Sequence, residues 1–146
     1  MGMQSGVLII KRTIKRIEQI QRRATKIVVG LHDESYEDRL KALKLPSLVY
    51  RRRRGDMIQM FKIMNGLVRL NIRDLFTPIE NSSTRGHSRR VRKGKAVKHQ
   101  RQSSFSQRVI NDWNSLPAGV IEASTVNDFK NRLDEHWINH KYEIGE

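Results

Sequence analysis

The sequence has 146 residues, of which 37% are hydrophobic and 30% charged, and its 29 Lys and Arg outnumber its 15 Asp and Glu to leave a formal charge of +14. That length suits one domain, or one compact body with a mobile segment, and the apolar share allows only a thin core. The absence of cysteine excludes a disulfide framework, a thiolate zinc site and a thiol nucleophile.

The longest apolar run near the start, Val7 to Ile10, is too short for a bilayer span or a signal-peptide core. The expectation is a soluble intracellular chain, nuclear or cytoplasmic. A surplus of positive charge this large repels itself in a compact fold and points to a polyanionic partner. Nucleic acid is the first choice and an anionic membrane surface the runner-up. The charge is uneven: residues 1–104 hold 25 Lys and Arg against 8 Asp and Glu, whereas residues 105–146 hold 4 against 7. The polyanion contact is therefore expected on the first two-thirds, with the last third as support.

In chain order, residues 1–12 form an unmatched N-terminal extension and 13–76 an N-terminal helical part. A helix is expected over 7–29, with Ile14, Ile17, Ile20, Ala24 and Ile27 as its apolar stripe and Gly30 as its C-terminal stop. Ser35 and Asp38 have capping-box spacing for a short second helix reaching about Lys44, with Tyr36, Leu40 and Leu43 inward. Pro46 suits the first turn of a third helix. Leu48, Met57, Ile58, Phe61, Met64 and Leu67 give that helix its apolar face, and Gly66 its end. Residues 71–76 form at most a helical turn.

From Thr77 the pattern dissolves, and 77–103 reads as a basic flexible loop. Within 84–102, eight of nineteen residues are Lys or Arg and none is acidic. The segment is too polar to bury itself, so it is a mobile loop or a weak hairpin around Gly94. The C-terminal helical part, 104–140, contains a helix through Phe105, Val109, Ile110, Trp113 and Leu116 that stops at Pro117. Thr125 and Asp128 repeat the capping-box spacing before a last amphipathic helix through Val126, Phe129, Leu133 and Trp137, and 141–146 is a tail. The fold class is mainly α, a small helical bundle of about five helices with a long basic loop.

Candidate chemistry is electrostatic. The loop cations Arg85, Arg89, Arg90, Arg92, Lys93, Lys95 and Lys98 can replace counterions along a phosphate backbone. No aromatic residue interleaves them, so little sequence is read. Arg51, Arg52, Arg53 and Arg54 point all round one helix. They suit bidentate phosphate contact, or else a solvated face with an ion pair to Asp56 or Glu37. Arg22, Arg23 and Lys26 offer a third set on the first helix. His136 and His140 share a helix face without an obvious third ligand, so a surface pair is preferred to a metal site. Trp113 and Trp137 fit core positions better than base-stacking ones. Asp33, Glu34, Glu37 and Asp38 suit helix N-terminal charge. No Walker-type phosphate loop, nucleophile elbow, Cys-His pair or two-metal carboxylate set is present. No catalytic residue, metal, cofactor or small-molecule ligand is expected.

An ordered set of short blocks carries a family resemblance. It comprises Ile20-Gln21-Arg22-Arg23-Ala24-Thr25-Lys26, Ser35-Tyr36-Glu37-Asp38-Arg39-Leu40, Leu45-Pro46-Ser47-Leu48, Tyr50-Arg51-Arg52, Arg54-Gly55-Asp56-Met57-Ile58 and Phe61-Lys62-Ile63. It continues with Thr84-Arg85-Gly86-His87-Ser88, Arg108 to Pro117, and Phe129-Lys130-Asn131-Arg132-Leu133-Asp134. Over residues 14–138 the chain resembles the region after the polymerase palm in jockey-type non-LTR retrotransposon reverse transcriptases. Ile110 to Pro117 also looks loosely like the Ile-Asn-x-Leu-Pro element downstream of the thumb, with residues inserted.

The resemblance implies an RNA- or DNA-binding accessory region of an RNA-directed DNA polymerase. The Tyr-x-Asp-Asp palm motif and the endonuclease domain are absent, so the chain alone is expected not to be an enzyme. The cysteine that often follows the family's Arg-Gly-His-Ser block is absent too. Two alternatives stand beside this reading: a structural fragment that docks on a polymerase core, and a non-functional mobile-element remnant.

Overall fold

A computed structural model describes residues 3–80, 85–93 and 100–144. Over these residues the chain is mainly helical, and five of its helices have seven or more residues, as the hydrophobic periodicity predicts. The elements are α1 (Met3–Ile27), α2 (Tyr36–Ala42), α3 (Leu48–Met64), α4 (Ile72–Leu75), β1 (Phe76–Pro78), β2 (Val91–Lys93), α5 (Gln100–Ser115), α6 (Ala118–Ile121) and α7 (Val126–His136), followed by a 3-10 turn at Ile138–His140. Two compact units divide the chain, one of residues 1–53 and 137–146, the other of residues 54–136.

The first unit contains α1, α2, the start of α3 and the C-terminal turn. Ser35 caps α2 by accepting the Asp38 N–H at 3.1 Å, as its spacing predicts. The helix ends in a Schellman-type pair, Leu45 N–H to the Leu40 carbonyl and Lys44 N–H to the Lys41 carbonyl, with Lys44 at φ +54°. Ser47, which the sequence pattern did not single out, accepts the Tyr50 N–H at 3.2 Å at the start of α3. Leu40, Tyr36, Tyr50 and Trp137 are buried, and Tyr50 meets Trp137 edge-on with ring centroids 6.3 Å apart. Trp137, expected on the apolar face of the last helix, lies one residue past α7 and packs with Tyr50 in this unit.

The packed face of α1 is the largest departure from expectation. The predicted inward stripe faces solvent: Ile17, Ile20 and Ile27 are 48%, 66% and 82% exposed. Polar residues pack instead. Glu18 is buried, accepting the Tyr36 hydroxyl at 2.5 Å and the Leu48 N–H at 3.2 Å. Thr25 is buried and accepts from Arg39 Nε at 3.2 Å; the buried Arg39 also donates to the carbonyls of Glu34 and Arg22. Hydrogen bonds that satisfy these groups in a dry contact outweigh the apolar stripe in orienting the helix. Burial, and next the Glu18 carboxylate, raise the Tyr36 pKa above its usual value, so the phenol stays a donor. Tyr36→Phe strands one oxygen of a buried carboxylate and is expected to cost about 1–3 kcal/mol in a urea melt; an unchanged midpoint contradicts this account of the α1 seat.

In the second unit, α3 ends at Met64 in a Schellman pair across Gly66, which has φ +66°. Leu67 lies past that end and is exposed, against expectation, while Met57, Met60, Phe61 and Ile63 are buried. Asn71 caps α4 through the Arg73 N–H. At α7, Thr125 accepts the Asp128 N–H as its spacing predicts, while Asp128 reaches back to the Ser124 N–H, one residue before the cap. The core centres on a stacked pair, Phe61 and Phe129, with centroids 4.3 Å apart, and Trp113 lies 6.3 Å from Phe129. Val109, Leu116, Ile121 and Leu133 complete it.

Part of the stretch expected to be a loop is ordered. β1 and β2 pair antiparallel, Phe76 opposite Lys93 and Pro78 opposite Val91, and α5 begins at Gln100, ahead of the predicted Ser104. A hairpin around Gly94 falls outside the described residues.

Candidate nucleic-acid interface

Residues 85–93 are fastened to α5 by side chains, which is why so polar a segment has a fixed path. His87 is 3% exposed and its Nε2 lies 2.9 Å from the Trp113 carbonyl, while its Nδ1 accepts the Arg89 N–H at 3.2 Å. The two bonds together require the neutral ring with hydrogen on Nε2. Trp113 returns the contact: its indole N–H donates to the Arg89 carbonyl at 2.8 Å, and its ring meets His87 edge-on at 5.8 Å. Asn114 acts as a surrogate strand. It accepts the Val91 N–H at 2.9 Å and donates to the Val91 carbonyl at 2.8 Å. Gly86 sits at φ +129°, in the region where a side chain is strained. Within the Arg-Gly-His-Ser block it is thus His87 that anchors the segment to α5.

This anchor turns Arg85, Arg89 and Arg92 outward. All three are exposed. Arg89 donates to the Asn65 side chain at 3.0 Å, and Arg92 lines a groove of about 550 Å³ with Arg73 and Glu80 beside β1. Among the described residues none of the three forms an ion pair with a carboxylate. Arg90 is half-buried and donates to the Arg85 carbonyl at 3.2 Å, so it braces the loop. Lys93 is described only as a strand residue, and Lys95 and Lys98 lie outside the described residues.

Three acids of this unit are paired with other arginines. Arg54 forms a two-pronged pair with Asp134 at 2.5 and 2.7 Å, Arg108 with Asp56 at 2.6 and 2.8 Å, and Arg132 binds Asp128 at 2.9 Å. The Arg132 guanidinium holds the Asp128 carboxyl below its usual range.

The four-arginine run divides by role. Arg51 is exposed, Arg52 half-buried, and Arg53 lies over the Trp137 ring at 4.9 Å and 3.9 Å from Glu143. Arg54 is committed to Asp134, a pairing the sequence reading had not anticipated; Asp56 goes to Arg108. Arg54→Gln is therefore expected to lower stability by up to about 1 kcal/mol, discounted for the exposure of Asp134. Nucleic-acid affinity should change less than in Arg51→Gln, and paired melts and binding titrations check the order.

On α1, Arg22, Arg23 and Lys26 are exposed, and Arg22 stacks over the Tyr36 ring at 4.8 Å. They belong to the first unit and the loop arginines to the second. His140 lies 2.6 Å from Glu143, His136 is exposed, and no group of three metal-ligating side chains occurs among the described residues. No described helix is long and apolar enough to cross a membrane. Sequence reasoning missed His87 and Asn114 as anchors; the only signal for them was a histidine inside an otherwise cationic run. No protein family, no curated protein and no solved structure matches this chain.

Proposed function

We propose that the chain is a nucleic-acid-binding accessory region of a non-LTR retrotransposon type of reverse transcriptase, positioning template RNA or target DNA by contacts to backbone phosphates. The observation that carries the binding half of this reading is the set of exposed arginines without carboxylate partners, Arg85, Arg89 and Arg92, on a segment pinned by His87, Trp113 and Asn114. Guanidinium groups held on an anchored backbone lose less entropy on meeting phosphate than groups on a free chain. The reverse-transcriptase half rests on the ordered sequence blocks. The chain makes and breaks no bond in this reading. Its partners are the nucleic acid and the polymerase core to which it would be joined.

Titrating labelled single-stranded RNA and nicked duplex DNA with the purified chain across a salt series tests it. Tight binding with a steep negative slope of log K on log salt is expected. Weak binding at low salt contradicts it.

A further inference from the structure

Ile17, Ile20, Ala24 and Ile27 are all exposed and follow one another at spacings of three, four and three, the a/d seam of a helix that receives a second helix. The opposite arrangement is normal, since a surface helix turns its apolar stripe inward. Here α1 is already seated through Glu18, Gln21 and Thr25, with Gln21 donating to the Pro46 carbonyl at 3.4 Å, so the seam is left over.

At 100° per residue, Arg12, Arg16 and Arg23 run along one edge of the seam. All three are exposed. Glu18 is the one acid on the helix, and it is buried against Tyr36.

We propose that this seam docks an acidic amphipathic helix of a partner protein, whose apolar side covers the isoleucines and whose carboxylates meet Arg12, Arg16 and Arg23. The charge pattern selects this occupant. A second copy brings the same cations and no exposed acid on α1, so self-pairing sets like charge along the contact. Nucleic acid satisfies the arginines but leaves the isoleucines in water. A membrane-adsorbed helix uses a broad face of large residues, whereas this seam is narrow and residues 12–27 contain no aromatic residue and no leucine.

The probe is a labelled helical peptide of about three heptads, with Leu at its a and d positions and Glu at e and g. It is titrated into the full chain by fluorescence anisotropy beside the same peptide with Lys for Glu. Vesicles of phosphatidylcholine with phosphatidylserine form a third arm. Saturable binding of the Glu peptide alone is expected. The double variant Ile20→Ser, Ile27→Ser should weaken it by roughly tenfold or more with an unchanged melting curve, because both side chains are exposed. Arg12→Glu with Arg16→Glu should move the preference toward the Lys peptide. Equal binding of both peptides, binding indifferent to Ile20 and Ile27, or isoleucine-dependent capture by vesicles without peptide binding overturns the proposal.

Discussion

Replacing Arg85, Arg89 and Arg92 together by Gln is expected to reduce the salt slope of binding by about 2 on single-stranded RNA and ~2.7 on duplex DNA. Each phosphate-bound cation contributes roughly 0.7 or 0.9 to that slope. At about 0.1 M salt the same loss weakens binding by roughly a hundredfold. The side chains are exposed and none pairs with a carboxylate among the described residues, so the melting midpoint should move little. Salt titrations of parent and variant side by side supply the slope difference. If the slopes coincide, these arginines do not touch phosphate. A fall in affinity with a parallel slope means that they act through shape alone.

The second large effect is expected at the anchor. Trp113 is fully buried, packs near Phe129 and His87, and donates to the Arg89 carbonyl. Trp113→Ala removes all of these contacts and should cost about 3–5 kcal/mol, a large part of the stability of a domain this size. Trp113→Phe retains much of the packing and loses the indole donor, so it should cost less while still loosening residues 85–93.

His87 adds a pH dependence of defined sign. Burial lowers its pKa first, Arg90 and Arg89 add to this, and the bond to the Trp113 carbonyl opposes them. Its folded pKa thus lies below the unfolded value of about 6.5, and between the two the unfolded chain binds more protons. The His87 contribution to stability is complete above about pH 6.5 and is lost as pH falls through the lowered folded pKa. Urea melts at pH 7.5 and below pH 6 should show this loss in the parent and a smaller one in His87→Gln. Equal losses would place the acid sensitivity on other groups.

The contrast between α1 and α7 shows what was legible in the sequence. In α7 the stripe Phe129, Leu133 agrees with the Thr125 cap, and both are realised, because nothing polar competes for the buried face. In α1 the same periodicity marks the exposed side. Glu18 and Thr25 look like solvated positions until Tyr36 and Arg39, which periodicity cannot place beside them, supply partners. The Gly66 stop was legible because positive φ is a local demand, whereas α1 ends at Ile27 and Gly30 serves the turn that follows it. The seat of the basic segment was not, since Val91 is satisfied by an asparagine side chain 23 residues away, a pairing no local pattern encodes. The cations themselves were legible as a group by charge. Their division into Arg54, held by Asp134, and Arg85 and Arg92, exposed, depends on tertiary neighbours.

The most direct measurement is residue-resolved: photo-crosslinking the chain to single-stranded RNA and to nicked duplex DNA, with the crosslinked positions read by mass spectrometry. The account predicts crosslinks concentrated at Arg85, Arg89, Arg92 and their immediate neighbours, weakening as salt rises and shrinking in the triple Gln variant. Crosslinks spread evenly over the surface, or gathered on the acidic C-terminal helix α7, would contradict it.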